Sequence, residues 1–183
     1  DCMDYMADQP DKAFDLAIVD PPYGININMN MGRRAGAPKV HEQKKWDNAT
    51  PPKKYFDELR RVSNFQIIWG GNYFPLPLTG SWVFWDKNVP QGLSFADGEL
   101  AWTSGTKTLK KARIVYSGGQ GSEGKIHPTQ KPVKLYDWLL KNYAEKGQRV
   151  LDTHLGSGSS AIAAHYFGVD FVGCELEDRK SVV

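Results

Sequence analysis

A chain of 183 residues with 40% hydrophobic and 24% charged residues has the composition of an ordinary globular protein and the length of one α/β domain. No stretch approaches the length of a membrane span, and the first residues lack the basic start and apolar middle of a signal peptide. A net charge of +2 excludes a global basic field, so any surface for nucleic acid has to be a local patch.

The chain opens at Asp1 without a methionine and closes on Ser181-Val182-Val183 with no terminating element, as a trimmed chain would. Ala13 to Val19 reads as a buried parallel strand that ends in Asp20-Pro21-Pro22-Tyr23. Gly24 to Asn48 has no apolar periodicity, and a loop that long inside a compact domain is usually functional or disordered. Pro51-Pro52 opens a helix to about Val62, with Tyr55, Phe56, Leu59 and Val62 on one face. Phe65 to Trp69 is the next strand, stopped by Gly70-Gly71. Ser81 to Trp85, Glu99 to Trp102 and Ala112 to Tyr116 read as strands of a more antiparallel region. Pro132 starts a second helix with the core stripe Val133, Tyr136, Leu139, Leu140 and Tyr143, and Gly147 ends it. Gln148 to Asp152, Gly158 to Phe167 and Val169 to Cys174 then alternate strand, helix, strand. The pattern predicts a single domain over 1–183, with a mostly parallel sheet, helices on both faces and an antiparallel edge.

Three of these strands end in an acid: Asp20, Asp152 and Glu175. Ligands of open α/β sheets bind beyond the carboxyl ends of strands where the topology switches direction, so three acids placed there can share one crevice. Each is also an ordinary turn or cap residue, and only the loops that follow them tip the balance. In Asp152-Thr153-His154-Leu155-Gly156-Ser157-Gly158, the glycines let a ligand approach main-chain N–H groups at the start of the next helix. Glu175 lies about twenty residues on, where a carboxylate accepts from both ribose hydroxyls of an adenosine-containing cofactor. Ala161 stands where a dinucleotide site has its third glycine, which disfavours NAD. Cys2 and Cys174 are too few and too far apart for a disulfide framework, and a reduced, intracellular protein is expected. His41, His127, His154 and His165 lack ligand spacing, so no metal is expected.

Taken with His127-Pro128-Thr129-Gln130-Lys131-Pro132, these motifs carry a resemblance. The order Asp-Pro-Pro-Tyr, His-Pro-Thr-Gln-Lys-Pro, Asp-x-x-x-Gly-Ser-Gly resembles that of the permuted β class of DNA amino-methyltransferases, over nearly the whole chain. That implies a Rossmann-like methyltransferase fold, S-adenosylmethionine as cofactor and double-stranded DNA as substrate. It also implies a cytoplasmic protein of bacterial, phage or mobile-element origin, in the setting of restriction and modification. The catalytic residues it implies are Asp20, Pro21, Pro22 and Tyr23. Asp20 and the Pro21 carbonyl would accept the N–H bonds of an exocyclic amine and free its delocalised lone pair; Tyr23 would stack on a base swung out of the duplex. For the cofactor it implies Asp152, Leu155, Gly156, Ser157, Gly158 and Glu175, with Asp20 and Lys131 beside them and Asp1-Cys2 along the adenine. Thr153-His154 departs from the Pro-Phe that family members often have, so the stacking partner differs here.

Basic residues outnumber acids in 24–48 (Arg33, Arg34, Lys39, Lys44 and Lys45 against Glu42 and Asp47) and in 106–125 (Lys107, Lys110, Lys111, Arg113 and Lys125 against Glu123). Such runs are as often solvated faces as phosphate contacts. The first is expected to close over the substrate as a lid, and 88–125 to hold a short target-recognition region. Recognition of only a few base pairs, or help from a second subunit in a homodimer, is expected. Trp46, Trp85 and Trp102 are candidates to wedge or stack, although core packing is the commoner fate of tryptophan. The leading Asp favours adenine N6 as target, because cytosine-N4 enzymes more often have Ser there. Cytosine-N4 methylation and a catalytically silent DNA-binding module remain open, with RNA or protein-amide methylation more remote.

Overall fold

The computed structural model describes residues 1–26, 47–89, 96–106, 108–115 and 130–176. Most of the 24–48 loop, 90–95, 107 and 116–125 of the 88–125 region, and His127-Pro128-Thr129 lie outside the described residues. The elements in chain order are α1 (Cys2–Ala7), β1 (Phe14–Val19), α2 (Lys53–Val62), β2 (Ser63–Trp69), β3 (Trp82–Asp86), β4 (Gly98–Thr103), β5 (Lys110–Arg113), α3 (Val133–Tyr143), β6 (Arg149–Asp152), α4 (Ser159–Phe167) and β7 (Asp170–Gly173).

One seven-stranded sheet runs β5-β3-β4-β2-β1-β6-β7. Strands β2, β1, β6 and β7 are mutually parallel. Strand β4 is antiparallel to both β2 and β3, while β5 returns parallel to β3. The expected mixed sheet is therefore present. From β1 the chain crosses to β2 on one side, and it later returns to place β6 on the other. The topology thus switches direction between β1 and β6, and their carboxyl ends border the crevice where ligands of such sheets bind.

Alternation along the central strands divides the core. Leu16, Ile18, Ile67 and Trp69 pack under Leu135 and Leu139 of α3 and Ala163 of α4. Ala17, Val19, Ile68 and Leu151 point the other way, against Met6 of α1 and Tyr55, Phe56 and Leu59 of α2. Helices on both faces follow from strands apolar on both sides. Arg61, at the end of α2, ties the second layer by donating to the Met6 carbonyl at 2.7 Å and the Gln9 carbonyl at 2.8 Å.

Four elements differ from expectation. The short helix α1 had no periodic signal; Asp1 caps it by accepting the Met3 N–H at 2.8 Å. Strand β5 lies earlier than the apolar run 112–116, because Lys110 to Arg113 are the residues that pair with Val83 to Asp86. Pro52 and Pro132 are the N-caps of α2 and α3, so each helix begins one residue later than expected, and α3 ends at Tyr143, before Gly147.

Gly70 ends β2 in the left-handed region (φ 67°), and the Tyr23 ring occupies the space a Cβ would need. Gly168 also has positive φ (89°), but a Cβ there meets nothing within 4 Å. Backbone strain costs about 1–2 kcal/mol at either site, and overpacking adds about 1–3 kcal/mol at Gly70 alone. In urea denaturation Gly70→Ala should therefore lose clearly more stability than Gly168→Ala, and equal losses would contradict the packing of Tyr23 on Gly70.

Candidate active site

Asp20 follows the last residue of β1, and the two prolines after it offer no backbone donor. Asp47, which the charge count treated only as one acid in a basic segment, closes this turn. Its Oδ1 accepts the Tyr23 N–H at 2.7 Å and the Gly24 N–H at 2.9 Å. Tyr23 folds back over its own turn, and its hydroxyl donates to Asp20 Oδ1 at 2.7 Å. Burial, then the adjacent Asp20 and Glu99 carboxylates, push the Tyr23 phenol well above its usual range, so it stays a donor. The ring does not stand open: Tyr73 stacks on it with centroids 5.1 Å apart and planes 13° apart.

Lys131 precedes the N-cap of α3, and packing of that helix carries its side chain inward until only 5% is exposed. The ammonium lies 2.5 Å from Asp20 Oδ2, 3.1 Å from Glu99 Oε2 and 3.2 Å from the Tyr23 hydroxyl. Burial alone would make Lys131 easier to deprotonate; Asp20 and Glu99 more than offset this, and its pKa is raised. Glu99 is the counterpart. Burial pushes its carboxyl up, but Lys131 and Lys87 together bring it down to about 2. Lys87 completes the chain of alternating charges, 2.6 Å from Glu99 Oε1. The structure thus places Lys131 on the Asp20 side of the crevice, bonded to carboxylates and not to the glycine turn.

The second group of expected residues gathers at the end of β6. Cys174 N–H donates to the Asp152 carbonyl at 2.8 Å and Leu155 N–H to the Cys174 carbonyl at 3.0 Å, which extends the β6–β7 pairing into the turn. Asp152 is 1% exposed; its carboxylate accepts from the His154 N–H at 2.9 Å and the Ser160 hydroxyl at 2.6 Å. Glu175 turns its carboxylate onto the turn, accepting the Gly156 N–H at 2.8 Å and the Leu176 N–H at 3.0 Å. Each oxygen of a carboxylate has a second lone pair, so this geometry still allows a ribose hydroxyl to bind. Gly156 and Gly158 both have positive φ, and a Cβ would meet nothing within 4 Å at Gly158 and only the His154 carbonyl, at 3.7 Å, at Gly156. The space over the turn is open, and an adenosine-bearing cofactor fits these residues. Cys2 is half-buried in the same core cluster as Val172 and Cys174, while the Asp1 carboxylate is engaged as the cap of α1.

Sequence reasoning missed Glu99, Lys87 and Asp47 as parts of the site. A glutamate opening the apolar run Leu100-Ala101-Trp102 was the one available signal for Glu99. It also missed that Tyr55 reaches the departure at Thr153-His154: its hydroxyl lies 2.6 Å from Thr153 Oγ1, which lies 2.9 Å from His154 Nδ1. Burial pushes His154 down to about 4, so near neutral pH this position presents an uncharged ring. Two expectations need correction. Trp85 and Trp102 do not wedge or stack on a ligand; both are core residues, and their indole N–H groups donate to the Ile114 and Pro77 carbonyls. Nor is Glu123 the acid that opposes Lys110, Lys111 and Arg113. Lys110 donates to Asn142, while Lys111 and Arg113 pair with Asp86 on the neighbouring strand. Trp46, Lys107, Lys125 and the basic residues of 33–45 lie outside the described residues.

Burial raises the Asp152 carboxyl from its ordinary 3.8 to about 6, with Ser160 and the His154 N–H opposing the shift. A carboxyl raised by folding stabilises the native state fully below its unfolded pKa, and that contribution is lost as pH rises through the folded value. Asp152→Asn removes this term, whereas the opposite term from His154 is present in both proteins. The stability of Asp152→Asn relative to wild type should therefore rise between pH 4 and pH 7, by at most about 3 kcal/mol. A difference that stays flat across that range in thermal or urea melts would contradict the buried, strained carboxylate.

Comparison with known proteins gives the chain a family and a fold. Residues 64–181 match the N6/N4 family model described as DNA methylase. YubD of Escherichia coli (strain K12), a methylase by name, is 27% identical over 195 residues, covering 98% of this chain and 83% of YubD. The crystal structure of the M1.HpyAVI–SAM complex superposes with a TM-score of 0.60 at 17% identity, covering 97% of this chain and 91% of that one. PvuII DNA methyltransferase, specific for cytosine N4, gives a TM-score of 0.56 at 12% identity, covering 97% of this chain and 80% of that one. These two likenesses establish the Rossmann-like methyltransferase fold; the family match establishes more. The chain belongs to the N6/N4 DNA methylase family, and it is an S-adenosylmethionine-dependent DNA amino-methyltransferase.

Proposed function

We propose that this protein methylates the N6 amino group of adenine in double-stranded DNA. The observation that carries the reading is the Asp20 carboxylate at the end of β1, held by two donors on separate oxygens. An exocyclic amine is a weak nucleophile because its lone pair is delocalised into the ring. Asp20 and the Pro21 carbonyl accept its N–H bonds and favour tetrahedral nitrogen. A proline pair supports this role, since it adds no competing donor and fixes the local backbone. S-adenosylmethionine supplies the methyl group when bound. Asp152, Leu155, Gly156, Ser157, Gly158 and Glu175 would hold it, with Asp1 and Cys2 beside them. Much of the rate then comes from positioning rather than from acid–base chemistry.

Tyr23 stacks on the extruded base. For that to happen on the face now covered, Tyr73, which is 46% exposed, swings away. The whole of 1–183 acts as one methyltransferase domain, with 24–48 as a lid and 88–125 as target-recognition region. The Escherichia coli relative fits a prokaryotic origin. Cytosine N4, the position for which PvuII DNA methyltransferase is specific, is the second reading, because the same acceptor geometry serves it.

The test is tritiated S-adenosylmethionine with unmethylated DNA, followed by nucleoside analysis. Label should appear in N6-methyladenine, and Asp20→Ala should lower the rate by roughly a hundredfold or more, the scale for removing a positioned group in a reaction centre. Label in cytosine alone overturns the adenine reading. No transfer by folded full-length protein favours a DNA-binding module.

A further inference from the structure

Glu99 and Lys87 have no assigned part in the reaction, yet they form the outer half of an alternating chain of charges that begins at the reactive strand end. Asp20, Lys131, Glu99 and Lys87 follow one another at 2.5, 3.1 and 2.6 Å. The chain spans the sheet: Asp20 leaves β1, Glu99 lies on β4 opposite Trp85 of β3, and Lys87 directly follows β3. Lys87 is 13% exposed and sits 5.0 Å over the Trp85 ring, so its place is set by the core as well as by charge. Taking ammonium and carboxylate groups out of water is costly even when they are paired, and apolar residues of similar volume often serve stability as well or better. The array therefore needs a reason beyond stability.

Its inner end supplies one. Tyr23 binds one Asp20 oxygen and Lys131 the other, which fixes the plane of the carboxylate. Glu99 touches both donors: its Oε2 lies 3.1 Å from the Lys131 ammonium and 3.4 Å from the Tyr23 hydroxyl. We propose that Glu99 is a positioning residue for methyl transfer, braced by Lys87, acting through Lys131 to hold the Asp20 carboxylate where it receives the target amine. The inference rests on the reading of Asp20 as amine acceptor. Its physical basis is the steep dependence of rate on placement, in which a shift of about 1 Å at a reacting group can cost about a hundredfold.

Glu99→Gln keeps the shape and one acceptor oxygen but removes the charge that holds Lys131. With full-length protein, kcat for DNA should fall about tenfold or more while KM and directly measured affinity for S-adenosylmethionine change less than about twofold. Adding Glu99→Gln to Lys131→Met should produce little further loss, because both changes break one path. Should Glu99→Gln fail to fold, Lys87→Met tests the same brace from its outer end, with a smaller loss of kcat and unchanged cofactor affinity expected. A kcat within twofold of wild type overturns the inference. So does a loss matched by lost cofactor binding, or losses that multiply in the double variant. These results are read beside wild-type protein: wild type that binds S-adenosylmethionine but transfers nothing to DNA overturns the underlying reading and this inference with it.

Discussion

The buried ammonium of Lys131 is the constraint on which the arrangement of this site depends. Three segments far apart in the chain meet at it: the end of β1, the middle strand β4 of the antiparallel edge, and the start of α3. A cation removed from water must be met by acceptors, and two carboxylates meet this one. Each of them would in turn be costly without it. The position of Lys131 is not set by charge alone, since α3 is anchored by Leu135, Leu139 and Leu140 in the core. Apolar packing places the helix, the helix places the ammonium, and the ammonium orders the reactive strand end.

The cofactor side is built on different physics. Its frame is the β6–β7 pairing, continued past the strand ends by main-chain bonds between Asp152, Leu155 and Cys174. Burial raises the Asp152 carboxyl, and no cation among the described residues forms an ion pair with it. The two sides still feel one another: Asp20 pushes Asp152 up and Lys131 pulls it down. Adjacency of β1 and β6, fixed by the register of Leu16 with Val150, brings them within that range. One half of the site is held by ion pairs and the other by backbone geometry, and the sheet aligns them.

Much of this was legible in the chain because it is local. The apolar run before Asp20, the Pro-Pro starts of α2 and the stripe of α3 each announce their own element, and the glycine turn carries its conformation in its composition. Contacts across the sheet are not local, and there the reading failed. Asp86 cancels basic residues that a sequence window leaves unopposed, because strand register, not sequence distance, brings Arg113 beside it. Glu99 lies on β4 and Lys131 just before α3, and no local sequence pattern links the two. Asp47 looked like one acid among basic neighbours, and only the closed turn shows its two main-chain bonds. The departure at Thr153-His154 was visible as a departure, but its partner Tyr55 lies on a helix of the other half of the chain.

The most direct measurement of the central claim is the side-chain ammonium spectrum of protein labelled with ¹⁵N at lysine. A Lys131 ammonium held by Asp20, Glu99 and Tyr23 exchanges its protons slowly and stays charged well above neutral pH. A protected ammonium signal is expected near neutral pH; it vanishes in Lys131→Met and moves in both Asp20→Asn and Glu99→Gln. If every lysine ammonium exchanges at the rate of exposed side chains, or if the protected signal ignores Glu99, the two halves of the site are not joined as described.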